Sequence, residues 1–442
     1  MRPTRTCVIG AGPSGIAAAR CLLDAGIQDL VVFDRGRKVG GNWVFDAESG
    51  HSSVFETTHI ISSKTYSQYA DFPFPEGTPD YPSHAHLAAY FQSYADRFGV
   101  TDKVQFRHSV LRCVPTDSGF DVHVQDDATG QTRTESFSHL VVANGHHYKP
   151  RWPDLGDGFT GQLLHSHDFK RAAPFAGERI LVIGGGNSAC DVAVETSRVA
   201  ESVHLSWRRG YRIVPKFVLG KPSDELHNRS HRYFGWLPLR WRMRGLELLL
   251  HVIIGRNRAY GLPEADHRLG ESHPTVNSEL LYSIRHGKIQ PKPGIDSVHG
   301  KTVRFADGSE AEFDTIIACT GFEITHPFFD PSFIDFSEGP VPLYLKMLPE
   351  DRDNLAFVGL FQPLGCIWPC AELQGRLLAK LWTGAWVPPA DRAAAIRQEV
   401  EHPDLPQLNT ARHTITVDEP TFRARLTREL SRAERQAAPE RS

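Results

Sequence analysis

The feature that most restricts what this chain can fold into is a pattern that occurs twice. Thr6-Cys7-Val8-Ile9 is a short apolar run that ends in Gly10-Ala11-Gly12-Pro13-Ser14-Gly15, and Ile16-Ala17-Ala18-Ala19-Arg20-Cys21-Leu22-Leu23 follows with apolar residues at helical spacing. A strand, a G-x-G-x-x-G turn and a helix in this order form the context that a dinucleotide-binding turn requires. The glycines have separate tasks: Gly10 permits the tight turn, Gly12 lets the backbone approach a pyrophosphate, and Gly15 lets the helix pack on the strand. The helix N-terminus then faces the anion. A second apolar run, Leu30-Val31-Val32-Phe33, ends in Asp34, whose carboxylate can accept hydrogen bonds from ribose hydroxyls.

The pattern recurs at Arg179-Ile180-Leu181-Val182-Ile183, followed by Gly184-Gly185-Gly186-Asn187-Ser188-Ala189 and the helical stretch Cys190-Asp191-Val192-Ala193-Val194-Glu195. Ala189 replaces the third glycine, a variation the pattern allows. The offset is 184 − 10 = 174, and 34 + 174 = 208, so the position of Asp34 is taken by Arg208, with Arg209 beside it, after the strand Ser202-Val203-His204-Leu205-Ser206. An acid there suits a ribose 2′-hydroxyl and repels a 2′-phosphate; arginine welcomes the phosphate. Two such folds in one chain should hold two different nucleotides, FAD first and NADPH second. The expected fold is α/β, two Rossmann-like dinucleotide-binding domains, in a flavoprotein reductase or oxygenase.

The strand His139-Leu140-Val141-Val142-Ala143 runs into Asn144-Gly145, and a matching strand, Asp314-Thr315-Ile316-Ile317-Ala318-Cys319-Thr320-Gly321, stands on the far side. These corners are natural crossings, so the NADPH domain is expected as an insertion in the FAD domain: FAD domain 1–155 and 313–385, NADPH domain 156–312, C-terminal extension 386–442. Residues 71–82 are too rich in proline for a helix or central strand, residues 84–98 read as an amphipathic helix, and residues 104–122 as paired strands.

Composition excludes other classes. The 49 Lys and Arg against 52 Asp and Glu give 49 − 52 = −3, with no global field to bind nucleic acid. The longest apolar run, residues 246–254, is broken by Glu247 and His251 and falls short of the roughly 20 residues of a spanning helix. No membrane anchor is expected. Met1-Arg2-Pro3-Thr4-Arg5 leads straight into the first strand, unlike a cleavable signal peptide. Seven scattered cysteines suit a reducing compartment, so the expected location is cytoplasmic. The 22 histidines include the pairs His84/His86, His146/His147 and His165/His167, none with the carboxylate or cysteine spacing of a metal site, and no metal is expected.

On further residues the chain resembles the flavin-containing monooxygenases of flavoprotein class B. Phe159-Thr160-Gly161-Gln162-Leu163-Leu164-His165-Ser166-His167-Asp168-Phe169 fits that family's F-x-G-x-x-x-H-x-x-x-[Y/F], and Phe169-Lys170 favours it over the related Baeyer–Villiger monooxygenases, which carry Trp followed by Pro or Asp. Gly40-Gly41-Asn42-Trp43, Asp71-Phe72-Pro73-Phe74-Pro75, the stretch Leu355-Ala356-Phe357-Val358-Gly359-Leu360-Phe361-Gln362-Pro363-Leu364-Gly365 and the tail Arg412-His413-Thr414-Ile415-Thr416-Val417-Asp418 are similar to the family as well. The membrane-anchoring extension of some members has no counterpart in the polar ending Ala437-Ala438-Pro439-Glu440-Arg441-Ser442.

The resemblance implies NADPH reduction of the flavin, reaction with O2 to a C4a-(hydro)peroxyflavin, and oxygen transfer to a small organic substrate. N- or S-oxygenation is the family default, with Baeyer–Villiger oxidation of a ketone next. FAD is expected at Gly10, Gly12, Pro13, Ser14, Gly15, Asp34, Arg35, Gly41, Asn42 and Trp43, with Gln362 and Leu364 on the isoalloxazine side. NADPH is expected at Gly184, Gly186, Asn187, Ser188, Asp191, Arg208 and Arg209. One departure stands out: the family usually has an asparagine where this chain has Ile61, in Thr58-His59-Ile60-Ile61-Ser62-Ser63-Lys64. Isoleucine offers no hydrogen bond. Either Ser62 or Ser63 takes the catalytic place, or the chemistry differs, as in an uncoupled NADPH oxidase. Cys366-Ile367-Trp368-Pro369-Cys370 raises a flavin disulfide reductase, although C-x3-C is not the C-x2-C of such enzymes. Tyr233, Phe234, Trp236 and Trp241 read as a packed surface helix, with substrate access as the alternative. Substrate and O2 are the expected partners, without nucleic acid or membrane; the oligomeric state, a homodimer included, stays open.

Overall fold

The computed structural model describes residues 5–46, 50–337, 340–403, 405 and 415–437. Met1 to Thr4 at the start, Arg412, His413 and Thr414 of the tail motif, and residues 438–442 lie outside the described residues. The chain is α/β and forms two compact units, one of Met1–Val44, Lys64–His146 and Glu323–Ser442, the other of Phe45–Ser63 and His147–Phe322.

The first unit is built on a five-stranded parallel sheet in the order Leu355–Phe357, His139–Val142, Thr6–Ile9, Leu30–Asp34, Val104–Phe106. Cys7, Ile9, Leu140, Val142, Leu355 and Phe357 share one buried cluster with the antiparallel strands His108–Thr116, Gly119–Asp126 and Thr132–Phe137. The helix Pro13–Asp24 packs on the helix Trp368–Trp382, and the backbones come close because Gly375 has no side chain: a Cβ there would lie 3.1 Å from Ala18 Cα. Ser83 caps the expected amphipathic helix, which runs His84–Arg97. Strand pairing begins later than the reading of residues 104–122 implied, because Val104–Phe106 joins the parallel sheet and the hairpin starts at His108.

The second unit repeats the plan. Its parallel sheet has the order Ile289–Lys292, Ser202–Ser206, Arg179–Ile183, Thr315–Ala318, Gln162–His165. The helix Asn187–Thr196 covers one face through Ala189, Cys190, Val192 and Ala193, while Val298, Val303, Phe305 and Phe313 cover the other.

The units break at 146/147 and 322/323, not at the expected 155/156 and 312/313. Residues 147–155 belong with the second unit because Arg151 N donates to Gly321 O at 3.0 Å and Thr320 Oγ1 donates to Arg151 O. Residues 45–63 join the same unit: Glu56 N donates to Lys170 O at 3.0 Å and Ser53 Oγ to His147 O at 2.7 Å. The stretch expected as an extension from 386 is part of the first unit. Trp386 is buried with its Nε1 3.2 Å from Glu429 Oε2, and Phe422 meets Phe361 at 4.9 Å between ring centroids.

Candidate functional site

In the first unit the glycines at the sheet's carboxyl edge are required by space. A Cβ on Gly10, whose φ is +104°, would lie 2.6 Å from Ala143 O; one on Gly15 would lie 1.9 Å from Gly10 O. Gly41, at φ +54°, brings its backbone against Gly12: its Cβ would meet Gly12 Cα at 2.9 Å. The helix Pro13–Asp24 starts at Gly12 without a side-chain cap, with proline in its first turn. Its first N–H groups therefore have no partner within the helix or from a cap, which is the provision a pyrophosphate needs. Asp34 is set by the turn itself, accepting Ala11 N at Oδ2 and Gly36 N at Oδ1, both at 2.6 Å. A carboxylate oxygen accepts more than one hydrogen bond, so this fixes Asp34 for ribose without consuming it. Arg35 is exposed, and Trp43 meets Trp368 edge-on at 5.9 Å.

Gln362 and Leu364 lie in a loop that two other segments hold. Gln362 and Pro363 pair in parallel with Thr416 and Val417, and Leu364 N donates to Val417 O at 3.0 Å. Gln362 Oε1 is also 3.4 Å from His146 Nε2. Upstream, Gly359 reaches Ser14: a Cβ there would be 2.1 Å from Ser14 Oγ, and Gln374 Oε1 accepts Gly359 N at 3.0 Å. Sequence reasoning missed the tail strand and Gln374. The Asp71-Phe72-Pro73 loop is architectural here: Asp71 accepts from Arg20 Nη1 and Nη2, and buried Glu372 accepts from Arg20 Nη1 at 3.0 Å and from Ala70 N at 3.0 Å.

In the second unit Gly184 has φ +129°, and its Cβ would lie 2.4 Å from Cys319 O. Gly185 has no such φ; it is needed because the Tyr211 ring lies on it, 2.1 Å from where a Cβ would stand. The face of Gly186 is open, and the helix Asn187–Thr196 begins there without a side-chain cap. Ser188 is exposed. Arg208, also exposed, follows the strand Ser202–Ser206, with Gly294 against its Cα, Cβ and Cγ and no ion pair among the described residues. Arg209 lies over the Tyr211 ring at 5.6 Å. Asn187 and Asp191 are turned inward: Asn187 Oδ1 accepts Val276 N and Asp191 Oδ1 accepts Asn277 Nδ2, both at 2.7 Å. Burial pushes the Asp191 carboxyl up to about 6.

The F-x-G-x-x-x-H-x-x-x-F stretch ties loops to this sheet. A Cβ on Gly161 would be 2.4 Å from Asp314 O, and Phe169 packs between Phe55 and Phe175. His165 Nδ1 accepts His167 N at 3.1 Å, so the ring proton sits on Nε2 and donates to Gly321 O at 3.1 Å. Burial holds His165 below the usual histidine range, in keeping with a neutral tether. Also in this unit, Ser62 and Ser63 are buried beside Ile61, and Ser63 N donates to Asp224 Oδ2 at 2.6 Å. The Asp224 carboxyl faces the backbone N–H and the hydroxyl of Ser63, and burial pushes it up against these two contacts. Asp224, 161 residues away, gave no signal in the sequence.

All seven cysteines are free, and burial raises both Cys366 and Cys370, so neither is an activated thiolate. Among the described residues no three His, Cys, Asp or Glu side chains group as metal ligands would.

Comparison with known proteins agrees with this geometry. The flavin-binding monooxygenase-like family model matches residues 3–417. Flavin-containing monooxygenase 5 of Cavia porcellus is 32% identical over 450 residues, covering 95% of this chain and 81% of the relative. The protein named dimethylaniline monooxygenase [N-oxide-forming] 2 of Pan troglodytes is 31% identical, covering 88% of this chain and 75% of its own. The solved S-allyl-L-cysteine S-oxygenase of Allium sativum superposes with a TM-score of 0.71 at 21% identity, over 97% of this chain and 88% of that one.

Proposed function

The chain belongs to the flavin-binding monooxygenase-like family, uses FAD and NADPH, and is a flavin-containing monooxygenase; from that premise we propose that it N- or S-oxygenates a small organic substrate. The observation that carries the reading is the pair of uncapped glycine turns, one beside a backbone-fixed acid and the other beside an unpaired arginine. The N-oxide-forming activity in the name of one relative supports nitrogen as an acceptor.

Gly12, Ser14, Gly41 and Asp34 would hold FAD, with Gln362 and Leu364 toward the ring, and Gly186, Ser188, Arg208 and Arg209 would hold NADPH. Bound FAD, reduced by NADPH, supplies the reduction of O2, one oxygen atom passing to the substrate and the other leaving as water. The chain's own residues position and exclude water. Of the two serines that follow Ile61, Ser63 is the better hydrogen-bonding substitute for the family's asparagine, because Asp224 holds it in place. Asn187 and Asp191 are assigned instead to folding the nucleotide pocket. A cytoplasmic location is part of the proposal and suits the free thiols.

The test is to supply NADPH and air to the purified yellow protein with tertiary amines and thioethers. We expect oxygenated product matching the NADPH consumed. Stoichiometric peroxide with every substrate would replace the reading by an oxidase, and ketone-to-ester conversion alone would favour Baeyer–Villiger chemistry. Ser63→Ala should raise the peroxide share several-fold without changing FAD content; an unchanged share would remove Ser63 from the reaction.

A further inference from the structure

In the first unit the strand His139–Val142 continues through Ala143 and Asn144 to Gly145, at φ +72°, and the turn places His146 in the interior, 7% exposed. His146 Nε2 lies 3.4 Å from Gln362 Oε1. An amide oxygen can only accept, so the ring carries a proton on Nε2 and donates it to Gln362. Gln362 is thereby held twice. Its backbone pairs with Thr416 of the tail strand, and His146 takes the oxygen of its side chain. The amide nitrogen makes no hydrogen bond among the described residues, and Gln362 is only half-buried. Two N–H donors are left over, and the chain supplies nothing to accept them.

The surroundings of His146 carry no charge that would disturb this arrangement. Asn144 Nδ2, 3.5 Å from Thr325 O, ties the segment of His326 to the same corner. His326 packs edge-on against Phe336 at 5.5 Å and Phe357 at 5.2 Å, and its buried Nδ1 has no hydrogen-bond partner among the described residues. Burial, with His146 as the next cause, pushes His326 down to about 4, so the ring is neutral. Asp335, the acid that bears on it, is exposed and already accepts Ser337 N at 2.8 Å. A hydrogen bond backed by apolar, uncharged side chains is stronger than the same bond in water.

We propose that His146 is a positioning residue for the flavin: by holding Gln362 Oε1 it turns the Gln362 amide N–H groups toward an acceptor on the pyrimidine half of the isoalloxazine ring. The dimethylbenzene half has no acceptor, whereas the pyrimidine half has carbonyl oxygens and unprotonated nitrogens. Reduction adds negative charge to that half, so a donor fixed there favours the reduced flavin. The proposal rests on Gln362 lying at the ring, as the functional reading has it.

The test is the midpoint potential of the bound FAD, measured on the full-length protein by anaerobic equilibration with a reference dye. His146→Leu should lower the reduced-to-oxidised ratio at a given potential about tenfold, a shift of about −30 mV for a two-electron couple. Gln362→Leu should shift it at least as far, and the double variant no further than Gln362→Leu alone. His146→Gln, which returns an amide N–H to the place of the ring's Nε2–H, should recover most of the potential. A shift in Gln362→Leu without one in His146→Leu would overturn the proposal and leave Gln362 at the ring; no shift in either would overturn both. Failure of His146→Gln to recover the potential, or a folded His146→Leu protein that holds no FAD, would reduce His146 to a structural role and overturn the proposal as well.

Discussion

The two glycine turns follow one plan and differ in a few side chains around it. Both sit at the carboxyl edge of the third strand of a five-stranded parallel sheet, and both start an uncapped helix. In the first, Gly15 is forced by Gly10 O at 1.9 Å; in the second the same position holds Ala189, buried and tolerated. At the middle of G-x-G the relation reverses: Ala11 stands in the first, whereas Gly185 is required by the Tyr211 ring in the second. The neighbouring strand ends in an acid held by two backbone N–H groups in one case; in the other it ends at Ser206, buried Trp207 takes the register of Asp34, and the unpaired Arg208 follows one residue later. Shared topology gives both units the same uncapped glycine turn, and under the proposed assignment the charge that follows the neighbouring strand, Asp34 or Arg208, selects the dinucleotide.

Substitutions at the two turns and on the helix that follows the second can break the comparison. Gly15→Ala should be the most damaging, above about 3 kcal/mol, because the clash is with backbone; the protein should purify without yellow colour, while Ala189→Gly costs about 1 kcal/mol at most in chemical denaturation. Asp191→Asn comes next. A carboxyl raised from 3.8 to about 6 keeps its proton in the folded state while the unfolded chain has lost it, so stability falls as pH rises between those values. The difference of about two units corresponds to about 3 kcal/mol, so the asparagine variant should melt higher than wild type at pH 8 and lose that advantage near pH 4. Gly185→Ala should cost about 2 kcal/mol, and Tyr211→Ala in the same chain should recover part of it, with a coupling of about 1 kcal/mol by a double-mutant cycle. Full additivity would mean that the ring does not constrain the turn.

What the sequence disclosed was local. Strand, glycine turn, helix and the residue that ends the next strand lie within about 30 positions, and their spacing carries the physics. Adding 174 to Asp34 leads to Arg208, but the registers of Ile9 with Phe33 and Ile183 with Ser206 put Trp207 at that place and Arg208 one residue further on. Contacts across long separations could not be read: Arg20 to Asp71 and Glu372, Gln362 to Thr416, and Ser63 to Asp224 depend on the closed fold. Tyr211 left only a faint trace, a glycine at a position where φ does not demand one. The domain boundaries were placed by proline and strand starts, but loops 147–155 and 45–63 follow their hydrogen bonds into the second unit. Asp191 was given to the nucleotide by its place on the helix, whereas its partner, Asn277, lies 86 residues on.

The most direct test of the assignment of two nucleotides to two turns is the rate of flavin reduction under anaerobic conditions, by NADPH and by NADH, in wild type and Arg208→Ala. A charge-assisted bond to the 2′-phosphate should give a preference for NADPH of roughly 10- to 100-fold, which the variant loses by weaker NADPH binding while its NADH rate is unchanged. A wild type that reduces its flavin equally well with NADH, or a variant that keeps the preference, would contradict the account.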